Sequence, residues 1–306
     1  MNSMILQKFD EGMEIRGFSE QTRATYLRWV KKLAGHYQRS PEEITDEELS
    51  QYLVYALREK KYARKTMILV VSALRAFYRI VCRRSSESLR EVLPLMKNHC
   101  PLPRFYSIEE ITRLLSVDDL QPKQRTMLIT KYATGLRATE LCRIKVTDII
   151  ASRMQIRVES GKGGKERYTV LSPKLLNILR NYWRLYRPST WLFPCPYDES
   201  KPIRQDSLYR AFILAVKAAG LPDRGGIHSL RHSFATHMYE AGVGLPTLQS
   251  LLGHQQLSST MIYLHASQSR LDEVRSPLDA IDLEPAVIKA SGKNAIFDDR
   301  RMEVRK

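Results

Sequence analysis

The side chains best suited to chemistry are concentrated between residues 227 and 263. His228 and Arg231 lie three positions apart, a spacing that places both side chains on one face of a helix. His254 follows a glycine, and Tyr263 comes soon after it. A guanidinium matches phosphate oxygens, an imidazole exchanges protons near neutral pH, and a phenol can act as a covalent nucleophile. These residue types predict a phosphoryl-transfer site with a tyrosine nucleophile.

Such a site needs further positive charge, and the segment TGLRATEL at 134–141 offers one source. Gly135 suits a left-handed turn between two helices, and Arg137 opens the second of them. Glu140 lies three positions on, close enough to orient the guanidinium of Arg137. Taken alone, this pair is better explained as an ordinary surface ion pair.

A second source of charge is the segment GKGGKE at 161–166, between two runs of alternating polarity at 154–159 and 168–171. The pattern predicts a β-hairpin with Lys162 and Lys165 at its tip. It is not a phosphate-binding P-loop, because no Ser or Thr follows either lysine and a strand comes next. The tip could carry an ammonium into a DNA groove, and a solvated turn is the plainer alternative.

Metal binding is the weaker interpretation of the histidines. His228 and His232 lie four apart, but no glutamate follows the first histidine as it does in the zinc-protease motif. Glu240 is the only carboxylate between residues 224 and 271, whereas a two-metal nuclease needs several. The pattern favours electrostatic stabilisation without a metal, and it favours structural roles for His232 and His237.

Composition narrows the class of partner. The 306 residues carry a formal net charge of +16, with 43% hydrophobic and 27% charged residues. This indicates a globular protein that binds a polyanion, with nucleic acid ahead of anionic membrane. Neither a membrane-spanning stretch nor a signal peptide is expected. The four cysteines show no Cys-x-x-Cys spacing, which fits a reduced, cytoplasmic compartment.

Hydrophobic periodicity and capping residues predict the order of elements. Four helices are expected at 4–16, 20–37, 45–57 and 63–81, and their basic residues face either solvent or DNA; the charge of the whole chain favours DNA. Three prolines at 94–103 predict a stiff linker, with a long loop as the alternative. Later helices are expected at 107 onward, 123–134, 173–186, 207–219, 228–241 and 246–252, with an irregular segment at 188–202. The segment after Tyr263 is formally neutral and apolar in places, as expected of a peptide that docks on protein. A disordered extension is the alternative, and it is the favoured interpretation for the last dozen residues.

Five blocks together resemble one family. They are TGLRATEL at 134–141, GKGGKER at 161–167, HSLRHSFATH at 228–237, LLGH at 251–254, and Tyr263. In this order and at this spacing, the chain resembles tyrosine recombinases of the phage-integrase and Xer type. The resemblance covers residues 3–266 and is strongest from residue 107 onward.

The resemblance implies a mainly α fold in two domains. Residues 1–97 would form a four-helix core-binding domain of the SAM-like type, and 98–106 a linker. Residues 107–270 would form a mixed α/β catalytic domain with a small antiparallel sheet. The tail, residues 271–306, would dock on a neighbouring protomer.

The resemblance also implies a role for each residue of the reaction itself. Tyr263 would attack the scissile phosphate, leaving a 3′-phosphotyrosyl link and a free 5′-hydroxyl. Lys162 would be the general acid for the 5′-oxygen, with Lys165 as the alternative. His228 would assist proton transfer.

Four more residues would hold the phosphate or support the residues that do. Arg137 and Arg231 would bind the non-bridging oxygens, and His254 would donate a hydrogen bond to the phosphate. Glu140 would support Arg137. The phosphotyrosyl link conserves bond energy, so the resemblance implies no cofactor, no ATP and no metal.

The partners implied are double-stranded DNA with inverted-repeat core sites and three further copies of the chain. The two domains would clamp the duplex, and a homotetramer would form on synapsed DNA through a Holliday junction. Accessory DNA-bending or regulatory proteins are further candidate partners. No membrane is involved, and the location would be cytoplasmic and nucleoid-associated.

Two alternatives to a site-specific recombinase remain. A type IB topoisomerase shares the chemistry but relaxes DNA as a monomer, and the length, motif spacing and tail favour the recombinase. A catalytically inactive DNA-binding protein of the same fold would be marked by an incomplete site. Here every position of the expected site is filled.

Overall fold

The computed structural model describes residues 3–96, 104–159, 166–254 and 256–263. The chain divides into two compact units, residues 1–101 and 102–306. The hairpin tip with Lys162 and Lys165, much of the expected linker, and the expected tail at 271–306 lie outside the described residues.

The first unit is helical, as predicted. Its helices are α1 Ser3–Ile15, α2 Glu20–Tyr37, α3 Asp46–Arg58, α4 Arg64–Ile80 and α5 Ser88–Val92. Ser19 caps α2 by accepting a hydrogen bond from the Thr22 amide, and Thr45 with Glu48 forms a capping box on α3. The short helix α5 was not predicted, because five residues are too few for periodicity to register.

The core of the first unit gathers around α4. Phe77 of α4 meets Phe9 of α1 edge to face, with ring centroids 5.3 Å apart. Leu33 of α2 and Leu49 of α3 are fully buried in the same cluster. Each large apolar side chain removed from water stabilises the fold by roughly 1.5–3 kcal/mol, so the apolar stripes alone explain why these helices associate.

The second unit is mixed α/β. Its elements are α6 Ile108–Leu115, α7 Pro122–Thr134, α8 Ala138–Cys142, β1 Ile149–Ile150, β2 Gln155–Val158, β3 Arg167–Val170, α9 Pro173–Tyr186, β4 Pro194–Cys195, β5 Asp198–Pro202, α10 Gln205–Ala218, α11 His228–Glu240, α12 Leu245–Leu252 and α13 Ser258–Met261. Helix α7 contacts α9, α10 and α11. Ser107 caps α6 in a capping box with Glu110.

The predicted hairpin is the pair β2–β3, and β1 extends it to a three-stranded antiparallel sheet in the order β1-β2-β3. Thr169 of β3 is buried, and its hydroxyl donates to the Thr134 carbonyl at the end of α7 over 2.9 Å. This bond fixes the sheet to the turn that carries Arg137.

The segment 188–202 was expected to be irregular, and this expectation was wrong in part. Strands β4 and β5 pair there as a second, two-stranded antiparallel sheet. The prolines at Pro194 and Pro202 face each other at one end of the ribbon, which hid the alternation that would have indicated strands.

Within the described ranges, no helix combines the length and the apolar character that crossing a membrane requires. The prediction of a mainly helical chain with small antiparallel sheets is confirmed.

Candidate active site

The site is built around the turn between α7 and α8. Gly135 ends α7 in the left-handed conformation, with φ of 63°. Arg137 is the N-cap residue of α8, with extended backbone, so its side chain leaves the turn at the start of that helix. Glycine is required at position 135 for two reasons: φ is positive, and the ring of Phe234 packs against its α-carbon.

Replacing Gly135 by alanine is expected to destabilise the second unit. The new Cβ would lie 2.3 Å from Cδ1 of Phe234 at a positive φ, and strain and overpacking each cost roughly 1–3 kcal/mol. Gly220→Ala is the matched control, since Gly220 has the same φ of 63° with nothing within 4 Å. It should lose only about 1–2 kcal/mol in urea denaturation. Equal losses for the two variants would contradict the packing argument.

Glu140 of α8 holds two arginines in place. Its carboxylate accepts hydrogen bonds from Arg137, through the backbone N–H at 2.7 Å and Nη1 at 2.8 Å. Arg167 donates to both carboxylate oxygens, with Nη1 and Nη2 each at 2.8 Å. Burial by itself would raise the pKa of Glu140, but the bonds from Arg167 and Arg137 outweigh it and hold the pKa at about 2. The carboxylate is therefore fully charged at neutral pH.

Arg167 is a functional residue that the sequence interpretation missed. It begins β3, its side chain is only 11% exposed, and its Nε donates to the Leu251 carbonyl over 3.1 Å. Its guanidinium also packs against Gly253, where an added Cβ would lie 2.8 Å from Nε. Arg167 ends the GKGGKER block, but the 27 positions between it and Glu140 left no local spacing that could pair them.

Arg231 of α11 is buried and bonded to two backbone carbonyls. Its Nη1 donates to Gly135 over 2.7 Å and its Nη2 to Leu252 over 2.6 Å. Arg137 donates to the neighbouring Gly253 carbonyl over 3.0 Å. Two guanidinium groups thus meet at the C-terminal end of α12, where unpaired carbonyls and the helix dipole favour cations. Burial, followed by the charge of Arg137, lowers the pKa of Arg231 to about 10, so it stays protonated at neutral pH.

Lys131 adds an amine, partly protonated at neutral pH, that was not anticipated. It lies on α7 at 0% exposure, and its Nζ donates to the Leu136 carbonyl. Burial, followed by the charge of Arg231, lowers its pKa to about 7. Lys131 and the three arginines described above therefore surround a single carboxylate, that of Glu140. Such an excess of positive charge indicates a site made for an anion.

Two histidines lie at the edge of this charged cluster. His228, the first residue of α11, is exposed; desolvation by the surrounding protein, then the charges of Lys131 and Arg231, lower its pKa. His254 is partly buried, and its Nδ1 lies 2.9 Å from the Thr260 hydroxyl. Burial, followed by the charges of Arg231, Arg137 and Arg167, lowers the pKa of His254 to about 4. Each ring is neutral at pH 7, so each offers one N–H donor and one acceptor.

Tyr263 follows α13 and is only 1% exposed. Its ring packs among Phe234, Leu248 and Leu252 of the small cluster formed by α11 and α12. Burial raises its pKa to about 12, although the charges of Arg231 and Arg137 act in the opposite direction. Tyr263 is thus a neutral phenol at rest, within electrostatic reach of both arginines.

Comparison with known proteins decides the family. The profile of the phage integrase family matches residues 104–270, and that of the phage integrase N-terminal SAM-like domain matches residues 5–88. The chain belongs to the phage integrase family. The recombinase is also 41% identical to an integrase/recombinase, y4qK, of Sinorhizobium fredii, over 90% of this chain and 88% of that protein.

One further likeness concerns the family and another concerns the fold. Tyrosine recombinase XerA of Pyrococcus horikoshii is 31% identical, over 89% of the recombinase and 93% of XerA. A solved lambda integrase tetramer bound to a Holliday junction has the same fold, with a TM-score of 0.68 and 21% identity over 84% of this chain and 76% of that one. The expected family, fold class and enzyme class, a tyrosine-type site-specific recombinase, are confirmed.

The site residues expected from sequence fall into two groups. Six lie together in the second unit: Arg137, Glu140, His228, Arg231, His254 and Tyr263. The other two, Lys162 and Lys165, lie outside the described residues of the recombinase.

Of the two histidines expected to be structural, His237 bonds the Tyr132 hydroxyl through Nδ1 over 2.9 Å, as a structural residue would. His232 differs, because its Nδ1 lies 3.0 Å from the Tyr263 hydroxyl.

The described part of the recombinase contains no group of three or more His, Cys, Asp or Glu side chains placed to hold a metal ion.

Proposed function

We propose that this recombinase cuts and rejoins DNA strands at a specific site through a covalent 3′-phosphotyrosyl intermediate. The observation that carries the proposal is a buried phenol, Tyr263, beside an excess of positive charge from Arg137 and Arg231. A phosphodiester is the anion that such a cluster suits, and the phenol is the group that can attack it. No metal and no ATP enter the reaction.

The reaction exchanges one ester bond for another. The hydroxyl oxygen of Tyr263 forms a bond to phosphorus while the bond from phosphorus to the 5′-oxygen breaks. Arg137 and Arg231 bind the non-bridging oxygens, whose charge grows in the pentacoordinate transition state. His254 donates a hydrogen bond to the phosphate. The exposed side chain of His228 assists proton transfer.

The leaving 5′-oxygen needs a proton, and we assign it to Lys162. Rejoining is the reverse: a 5′-hydroxyl attacks the phosphotyrosyl link and releases Tyr263. Because the link keeps the energy of the original ester, strands can be exchanged with no other energy source.

The proposed substrate is duplex DNA with inverted-repeat core sites, and the proposed assembly is a tetramer that passes through a Holliday junction. The net charge of +16 supports DNA as the partner, as does the lambda integrase tetramer solved on a Holliday junction. In this proposal, residues 271–306 dock on the neighbouring copy and couple the four sites.

Covalent capture tests the proposal directly. The chain is incubated with a random-sequence duplex library, stopped with detergent, and the protein-linked strands are sequenced. We expect one enriched motif, a 3′-phosphotyrosine at Tyr263 by mass spectrometry, and 5′-ends that a kinase labels without prior phosphatase treatment. Absence of any adduct would overturn the proposal in favour of an inactive DNA-binding protein. Relaxation of supercoiled plasmid lacking the motif, without recombination between two motifs, would favour a topoisomerase.

DNA affinity is expected to fall steeply with salt. Each neutralised phosphate contributes a slope of about −0.9 to the plot of log affinity against log salt, so a footprint of about 6–10 phosphates loses roughly 10³–10⁵ in affinity between 50 and 200 mM salt. Fluorescence anisotropy on the captured motif measures this slope. A slope near zero would contradict a binding surface built on Lys and Arg.

Lys162→Ala is expected to slow cleavage of ordinary DNA by roughly 10²–10⁴-fold, the usual contribution of a general acid. The loss should largely disappear on DNA with a sulfur in place of the bridging 5′-oxygen, because a thiolate leaves without a proton. Lys165→Ala is the control from the same hairpin tip and should cleave both substrates normally. If Lys165→Ala shows the loss and the recovery instead, the acid is Lys165.

A further inference from the structure

The Tyr263 hydroxyl forms a hydrogen bond to a residue that has no role in the proposed reaction so far. The Tyr263 hydroxyl lies 3.0 Å from Nδ1 of His232, a residue of α11 next to Arg231. The phenol is 1% exposed and the imidazole is partly buried, so bulk water has little access to the bond. A base that receives the proton of a nucleophile must lie within about 2.6–3.2 Å of it, and His232 meets that requirement.

We propose that His232 is the catalytic base of the recombinase and takes the proton from Tyr263 as the phenolic oxygen attacks phosphorus. This inference rests on the proposed function and adds to it the residue that activates the nucleophile. His228, to which the family resemblance assigned proton transfer, is then free to contact the phosphate or the leaving strand.

In the resting site His232 and Tyr263 have the protonation states that this proton transfer requires. Burial, followed by the charges of His228 and Arg231, lowers the pKa of His232 to about 4, so its ring is neutral at pH 7. With its proton on Nε2, the ring accepts at Nδ1 and the phenol donates. Tyr263, whose pKa is about 12, keeps that proton until the attack begins.

Binding of the scissile phosphate would make His232 a stronger base. Arg231 of α11 and Lys131 of α7 are cationic groups that act on its ring, and His228 of α11 would add positive charge if protonated; all three disfavour a positive charge on His232. A phosphate held by the arginines offsets their charge, which raises the pKa of His232 at the moment when the proton must move. The base is therefore weak without DNA and stronger with it. Tyr263 is thus activated mainly when a phosphate is bound.

The step balances without any further reactant. The bond from the Tyr263 oxygen to phosphorus forms as its O–H bond breaks, and the proton moves to Nδ1 of His232. The bond from phosphorus to the 5′-oxygen breaks, and that oxygen receives the proton of the general acid. On rejoining, the imidazolium of His232 returns its proton to the departing Tyr263 oxygen.

The location of His228 argues against it as this base. It is the first residue of α11, one turn before His232, and its side chain is exposed. The Tyr263 hydroxyl is hydrogen-bonded to His232. For His228 to take the proton, the Tyr263 hydroxyl would first have to give up its hydrogen bond to His232.

The test compares His232→Asn with His228→Asn in single-turnover adduct formation. The probe is the captured DNA motif with a sulfur at the bridging 5′-position, which makes the rate independent of the general acid. We expect His232→Asn to bind the duplex normally and to form adduct about 10²–10⁴-fold more slowly. Its rate should rise about tenfold per pH unit as hydroxide replaces the lost base, whereas the unaltered protein should show a plateau at every pH above the pKa that His232 has in the DNA complex.

His228→Asn should keep that plateau. An unchanged rate and plateau in His232→Asn, or transfer of the pH effect to His228→Asn, would overturn the inference. A purely structural role for His232 would lower the rate of His232→Asn without changing the shape of its pH profile, and it too would overturn the inference.

A second variant tests the chemistry independently of asparagine. His232→Ala leaves room for an imidazole ring, and added imidazole should raise its rate of adduct formation at least tenfold. Tyr197→Ala, which alters a fully exposed tyrosine, should not respond to imidazole. Failure of imidazole to restore any activity would count against His232 as a base. Adduct formation by the unaltered protein keeps the proposed function standing in that case, whereas absence of adduct there would sink both.

Discussion

Tyr263→Phe is expected to abolish the covalent protein–DNA adduct and leave DNA binding intact. The variant removes one oxygen atom, and no other buried phenol is recorded beside Arg231 and Arg137 among the described residues. The cost in folding should be small, about 1 kcal/mol, because one hydrogen bond to His232 is lost and the apolar contacts of the ring are kept. Denaturing gels measure the adduct and anisotropy measures the binding.

Tyr197→Phe is the matched control for this prediction. Tyr197 is 96% exposed in the turn between β4 and β5, so its hydroxyl takes no part in the site. The control should form adduct at the normal rate. Persistence of the adduct in Tyr263→Phe would remove this residue from its role and would require a different nucleophile in the same charged pocket.

Glu140→Gln is expected to have the second-largest effect, because one change disturbs both activity and folding. The variant keeps the size of the side chain but leaves Arg137, Arg167 and Arg231 without their shared negative charge. Removing one partner of a buried ion pair costs roughly 3–5 kcal/mol, since the remaining charges stay buried and uncompensated. Misorientation of Arg137 should also lower the rate of adduct formation by about 10²-fold.

The pH dependence of this effect identifies its cause. The pKa of Glu140 is about 2 in the folded chain, below its ordinary value of 4.5. The charged carboxylate therefore stabilises the fold fully above about pH 4.5, and this stabilisation is lost as pH falls through about 2. Urea denaturation of both proteins should show a difference that is constant near neutrality and shrinks in acid.

Glu159→Gln is the control for Glu140→Gln. Glu159 pairs with Lys145 and Arg157 in the same unit, but its side chain is partly exposed. Exposed pairs contribute about 0–1 kcal/mol, so this variant should be nearly as stable as the unaltered protein. Equal losses for the two variants would show that the buried arginine cluster does not depend on Glu140.

The elements of the fold could be predicted because their signals are local. Ser19, Thr45 and Ser107 each precede a helix and cap it, and apolar residues at helical spacing mark the faces that become buried. The hairpin of β2 and β3 followed from alternation on both sides of a glycine-rich turn. Strands β1 and β4 were not predicted, because a strand of two residues is too short to show an alternating pattern of polar and apolar residues.

The sequence by itself determined the types of side chain at the site and the family they indicate. Arg137, Arg231, His254 and Tyr263 stand in short blocks whose spacing can be read along the chain. Their chemistry, phosphate binding and nucleophilic attack, follows from guanidinium, imidazole and phenol groups alone.

Only the tertiary structure decided which groups act on one another. Arg167 meets Glu140 across 27 positions, and Lys131, which resembles any surface lysine in sequence, is fully buried beside the arginines. Whether Tyr263 bonds His228 or His232 depends on how α11 and the turn after α13 pack. Spacing specifies neighbours within a helix or hairpin, whereas charge, burial and pKa arise between segments that meet only when the core closes.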